Sequence, residues 1–256
     1  MFPHEDSLVP IYLWSRDRQY PEQAGTGIYV RMLNQAYLLS AGHVADLRCQ
    51  GSLCIPTTEG ISPLEGGIGG NALEPGQDRK SDKYDIAWIR LSSKVAAIMH
   101  PTFKPLPREY VDLGGYVVPG EFCSVGGYPI TKGDRRDETY GSMAFSYVGV
   151  AAEYETYERL GYDPRIHLIV HYNLKQGIFP EGDRTTPPHP RGASGGGVFR
   201  LQPDFLNARE SAPRHLIGSM HTYIKREHCF VGTRIPAHFR LIEGRFPEEV
   251  RAFENS

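Results

Sequence analysis

The chain has 256 residues and a formal net charge of −2, with 28 lysines and arginines against 30 aspartates and glutamates. That balance gives no electrostatic reason to bind nucleic acid or an anionic membrane, and no apolar run is long enough to span a bilayer. Glycine at 28 and proline at 20 are high for a helical protein and suit many short strands joined by turns, so a single all-β unit is expected. The start, Met1-Phe2-Pro3-His4-Glu5-Asp6, has neither the basic nor the apolar region of a signal peptide, which predicts a cytoplasmic location. Cys49, Cys54, Cys123 and Cys229 form no C-x-x-C pair and are expected to be reduced there. Cys49 and Cys54 are nonetheless near enough in sequence to bridge.

In chain order, Ile28–Leu33 and Ala36–Leu39 read as a hairpin turning at Asn34, whose return strand delivers His43 to its end. Residues 56–82 are rich in Gly, Pro and charge and read as a surface excursion with at most one short strand. Asp85–Leu91 reads as a buried strand. Prolines 101, 105, 107 and 119 oppose helix and mark a connection over 100–120. Further strands are expected at Phe122–Pro129, Met143–Ala151, Ile166–Tyr172, Val198–Leu201, Leu216–Ile224 and Cys229–Ile235. Asp134-Arg135-Arg136-Asp137 neutralises itself and reads as a loop tip. Residues 174–191 form a long polar loop. From Pro236, Phe239, Ile242, Phe246 and Val250 recur at helical spacing, predicting a C-terminal helix on the second half, split or kinked by Pro247.

Three segments carry chemistry. Leu38-Leu39-Ser40-Ala41-Gly42-His43 is an apolar run ending at a histidine. Asp85-Ile86-Ala87-Trp88 is an aspartate opening a strand. Gly192-Ala193-Ser194-Gly195-Gly196 is a G-x-S-G-G box. A serine hydroxyl needs a base within hydrogen-bond reach, and a histidine base needs an acid to orient it. Together the segments resemble the chymotrypsin-like serine peptidases over about residues 20 to 240, and most closely their stand-alone bacterial or phage-type domains. The resemblance implies two six-stranded antiparallel β-barrels with a C-terminal helix: residues 1–105 carrying His43 and Asp85, residues 106–235 carrying Ser194, and the helix over 236–256. It implies Ser194 as nucleophile, His43 as general base and Asp85 as orienting acid. It also implies the Gly192 and Ser194 amides as an oxyanion hole. Asp82 competes with Asp85, but its charged neighbours read as a solvated turn.

The sequence departs from the family pattern in places. Val44 stands where secreted relatives often carry cysteine. Ala193 replaces the aspartate that a freed N-terminus pairs with in many relatives, so the domain is expected to be either active as made or gated by a loop or a partner protein. Pro188 replaces the aspartate that selects Lys or Arg in trypsin. The substrate pocket is expected from Pro188, His189, Arg191, Met220, His221, Thr222 and Tyr223. His221 reads either as a specificity residue or as packing beside the triad, and Arg191 either attracts an acidic residue or faces solvent. His167 and His171 are spaced i, i+4, but their run is strand-like and no third ligand is apparent, so no metal and no cofactor are expected. The expected partners are a protein or peptide substrate and a regulatory protein. Two rival activities stay open: another acyl transfer from the same triad, and a latent or non-catalytic peptide-binding module.

Overall fold

The computed structural model describes residues 3–114, 116–130, 133–136, 139–173, 177–178, 184–185, 189–202 and 213–256. Their strands are β1 (Leu8–Ser15), β2 (Glu22–Met32), β3 (Gln35–Ala41), β4 (Gly51–Thr57), β5 (Gly60–Pro63), β6 (Gly66–Gly70), β7 (Ile86–Leu91), β8 (Phe122–Gly127), β9 (Gly133–Arg136), β10 (Thr139–Ser142), β11 (Phe145–Val150), β12 (His167–His171), β13 (Gly177–Ile178), β14 (Arg184–Thr185), β15 (Gly197–Leu201), β16 (Arg214–Ile224) and β17 (Cys229–Arg234). They form two curled antiparallel sheets, ordered β5-β4-β1-β2-β3-β7-β6 and β11-β8-β15-β16-β17-β12, with two small hairpins, β9–β10 and β13–β14.

The first sheet has seven strands rather than the six expected, because the glycine-rich excursion contributes two. β6 has the sequence Gly-Gly-Ile-Gly-Gly and pairs with β7 from Gly66↔Leu91 to Gly70↔Ala87. It carries no alternating pattern because the Trp88 ring lies against it. A Cβ on Gly69 would sit 2.3 Å from Trp88 Cζ2, so only glycine fits. The Asn34 hairpin is present, with Leu33 taking the left-handed backbone (φ 51°).

Each sheet encloses its own apolar core. Val9, Ile11, Tyr29, Leu38, Ile55, Ile89 and Met99 fill the first, and Cys123, Val125, Leu168, Tyr172, Val198 and Phe230 fill the second. A third cluster lies between them. It joins Ile28, Tyr37 and Trp88 to Phe199 and Leu216, and adds Phe239, Ile242, Val250 and Phe253 from the chain's end. The end is two helices, Ile235–Glu243 and Pro247–Glu254, divided at Pro247. They do not lie on the second sheet alone, as the sequence suggested. Phe246 packs edge-on against Trp88 at 5.6 Å, and Glu249 pairs with Arg90 at 2.9 Å, both on β7. His238 reaches Ser219 on β16 at 2.7 Å. The helices therefore bridge both sheets, a role that residue spacing within one helix cannot reveal.

Among the described residues no helix is long and apolar enough to cross a membrane. All four cysteines are free, so Cys49 and Cys54 do not bridge.

Candidate active site

β3 ends at Ala41, and the chain turns into a short helix, Gly42–Asp46, that carries His43. The turn is shaped by Asp85. Its backbone carbonyl accepts the Gly42 N–H at 2.9 Å, and its carboxylate oxygen Oδ1 accepts the His43 N–H at 2.8 Å. The other oxygen, Oδ2, lies 2.6 Å from His43 Nδ1. One carboxylate thus fixes both backbone and ring. With Nδ1 as donor, Nε2 is left as the basic nitrogen. Burial pushes the Asp85 carboxyl up, but the hydrogen bond and charge of His43 outweigh it and hold the group below the ordinary carboxylate range.

Asp85 itself has φ +42°, the left-handed region that costs most residues energy and that Asp tolerates better than most. Asp82 holds it there. The Asp82 carboxylate accepts the N–H groups of Tyr84 and Asp85, both at 3.0 Å, the Asn71 side-chain amide at 2.9 Å and Arg79 Nη1 at 2.7 Å. Arg79 also pairs with Asp46 at 2.8 Å, and Asn71 Oδ1 accepts the Ile86 N–H at 3.2 Å. Asp82 is therefore not the solvated turn residue expected. Its side chain is 3% exposed and forms the hub of the loop that presents Asp85. The sequence concealed this because its partner Asn71 lies eleven residues upstream, inside the glycine-rich excursion.

Ser194 comes from the second half of the chain. A turn closed by Ala193 N–H to Pro190 C=O at 2.9 Å has Gly192 at φ +91°, as a type II turn requires. Gly195, at φ +86°, faces the first sheet, where a Cβ would fall 2.1 Å from the Thr26 carbonyl oxygen and 2.2 Å from Ser40 Oγ. The Thr26 N–H donates to the Ser194 carbonyl at 2.8 Å, and Gly195 N–H donates to the Met220 carbonyl at 2.7 Å. Thr26 Oγ1 donates to the Gly192 carbonyl at 3.3 Å and accepts the Tyr128 N–H at 3.0 Å. Thr26, which no sequence pattern marks, is the point where the serine loop is fastened to the first sheet. Among the described residues, no hydrogen bond occupies the Gly192 or Ser194 amide. Ala193 is fully buried beside Gly127 and Met220.

The Ser194 hydroxyl donates to the His221 carbonyl at 3.3 Å, and no hydrogen bond joins it to His43. Catalytic hydrogen bonds of this kind are often long or unformed in a free enzyme and tighten when substrate binds. His221 sits at a bulge in β16, between Met220 and Thr222 in its pairing with β17. Its Nδ1 lies 2.9 Å from Thr222 Oγ1, while its buried Nε2 has no hydrogen-bond partner among the described residues. Burial lowers its pKa to about 4, against the pull of Asp85, so the ring is neutral near pH 7. The charge of Asp85 raises that pKa and that of His43 lowers it, so the ring lies within electrostatic reach of both groups.

Next to Ser194 lies an open cleft of about 240 Å³ that includes His189, Arg191, Thr222, Tyr223, Lys225 and Phe230, with Met220 and His221 also on its wall. Pro188 lies outside the described residues, as do Asp137 of the charged tetrad and most of the 174–188 loop. Lys225 and Phe230 were not anticipated; they follow from the β16–β17 hairpin, which folds back over Tyr223↔Phe230. Strand β15 leaves β16 after Gly197↔Ser219, so from His221 onward one edge of β16 has no neighbouring strand among the described residues. His167 and His171 belong to a strand, and His167 caps backbone at Asp163 and Lys83. Among the described residues no histidine, cysteine or carboxylate group is clustered to hold a metal.

No known protein family and no curated protein matches the sequence. Solved structures do match in fold. Granzyme C aligns with a TM-score of 0.59 at 15% identity, covering 96% of this chain and 97% of that one. Neuropsin, a serine protease expressed in the limbic system of mouse brain, aligns with a TM-score of 0.54 at 14% identity, covering 95% and 96%. Over nearly its whole length, then, the chain has the trypsin-like double-barrel fold.

Proposed function

We propose that the protein is a serine endopeptidase acting on an intracellular protein or peptide through Ser194, His43 and Asp85. The observation that carries the reading is the Asp85 carboxylate gripping His43 at backbone and ring, together with a serine on a glycine-rich turn whose Gly192 and Ser194 amides carry no hydrogen bond among the described residues. In this mechanism His43 Nε2 takes the Ser194 hydroxyl proton as Oγ attacks the scissile carbonyl. The tetrahedral oxyanion is received by the Gly192 and Ser194 N–H groups, whose loss individually costs about 10²–10³ in rate in comparable sites. Protonated His43 then gives its proton to the leaving amine, and water releases the acyl group by the same steps in reverse. The substrate backbone adds as a strand to the open edge of β16 beyond His221.

One observation favours a second reading, a latent or non-catalytic peptide-binding module: the Ser194 hydroxyl rests on the His221 carbonyl instead of His43. Incubation with an unstructured peptide library, read by mass spectrometry, separates the two. The peptidase reading predicts new termini at a restricted set of residues with wild type and none with Ser194→Ala. Binding of peptides with no new termini would favour the module.

A further inference from the structure

We infer that the cleft beside Ser194 takes an acidic side chain, so that the chain cleaves after glutamate; the inference rests on the peptidase reading. Arg191 stands immediately before Gly192 on the turn that presents the oxyanion amides. Lys225 follows the last residue of β16 and lines the same cleft. The described lining holds these two full positive charges and no carboxylate. Neither cation forms an ion pair among the described residues, whereas Arg79, Arg90, Arg159, Arg165 and Arg200 all do.

The rest of the wall suits the methylenes of a glutamate rather than a second cation. The Tyr223 and Phe230 rings lie 5.4 Å apart, and Tyr223 is held further by Tyr172 at 5.6 Å and by His189 at 6.2 Å. His189 Nδ1 in turn accepts the Arg191 N–H at 3.3 Å, which ties the arginine's backbone to this aromatic wall. Among the described residues the Tyr223 hydroxyl has no hydrogen-bond partner, an unmet donor that a carboxylate would satisfy. A lysine or arginine entering the cleft would meet like charge, and a leucine would leave that hydroxyl and both cations unanswered. Arg191 and Lys225 are exposed, so their attraction is hydrated and sensitive to salt.

The test is kcat/KM for four fluorogenic peptides identical except for Glu, Gln, Leu or Lys before the cleaved bond. The expected result is Glu over Gln by about tenfold at about 0.05 M salt, shrinking several-fold at about 0.5 M, with Lys lowest. The Arg191→Gln, Lys225→Gln double variant, checked for folding by its Tm, should bring the Glu-to-Gln ratio near one. The single Arg191→Glu should raise Lys relative to Glu. Gln cleaved as well as Glu, or a ratio that survives the double variant, overturns the inference. Cleavage after Leu or Lys that depends on Ser194 removes the pocket assignment and leaves the peptidase standing. No cleavage of any peptide, together with no reaction of Ser194 with an active-site probe, overturns both.

Discussion

At the scale of the residue, the proposed site depends on groups that hold His43, Asp85 and Ser194 as much as on those three side chains. The sequence singles out His43, Asp85 and Ser194 because each sits in a short local string, and the proposed nucleophile, base and acid are few enough types to pick out. Asp82, Asn71, Arg79 and Thr26 were not, because their roles come from contacts that only the folded chain makes. Asp82→Ala removes the acceptor of two backbone N–H groups and leaves Arg79 without one buried partner. Breaking a pair of this kind costs about 3–5 kcal/mol. The expected outcome is that loss in urea denaturation and a fall in kcat of at least about tenfold with KM little changed, since Asp85 no longer holds its left-handed backbone. Asp82→Asn keeps an oxygen for the amides and should recover part of kcat. A variant that lost stability while keeping full kcat would show that the hub stabilises the loop without positioning Asp85.

At the scale of the element, β7, β11, β12 and β17 were found within a few residues of their true bounds, whereas β1 and β4 were not read as strands. β6 escaped because a strand of glycines beneath a tryptophan has no periodicity. The C-terminal helices were found as helices but assigned to the wrong neighbour. Helical spacing shows that a face is apolar and says nothing of what it covers. Here Phe239 stacks on Phe253 at 5.0 Å within the cluster shared by both sheets. Phe239→Ala is expected to destabilise the fold by about 3–5 kcal/mol, measured by denaturant unfolding. Because the helices brace β7, which begins one residue after Asp85, activity should be lost at a lower denaturant concentration than in wild type. A change below about 1 kcal/mol would mean that the helices pack loosely on the interface.

At the scale of the molecule, the proposed site exists only because two sheets meet. Thr26 bonds to the Ser194 loop, and Thr233 and His167 bond to the carbonyls of Tyr84 and Lys83 beside Asp85. Histidines buried at this junction make it sensitive to acid. Burial lowers His221 and His238 each to about 4 from an ordinary value near 6.5. Between those values the unfolded chain binds protons that the folded chain refuses, so stability is full above about pH 6.5 and falls as the pH drops toward 4. Each histidine contributes a loss of about 1.4 kcal/mol per pH unit over most of that window. Asp85, held below its ordinary value, adds a further loss only at lower pH. Tm measured from pH 7.5 to 4.5 should decline steadily below 6.5, and His238→Asn should flatten the slope. A pH-independent Tm over that range would contradict the buried neutral histidines. The central claim, that this junction activates Ser194, is tested most directly by intact-mass analysis after reaction with a fluorophosphonate. A single adduct on the wild-type chain and none on Ser194→Ala is the predicted result. A folded wild-type chain that takes up no adduct would contradict it.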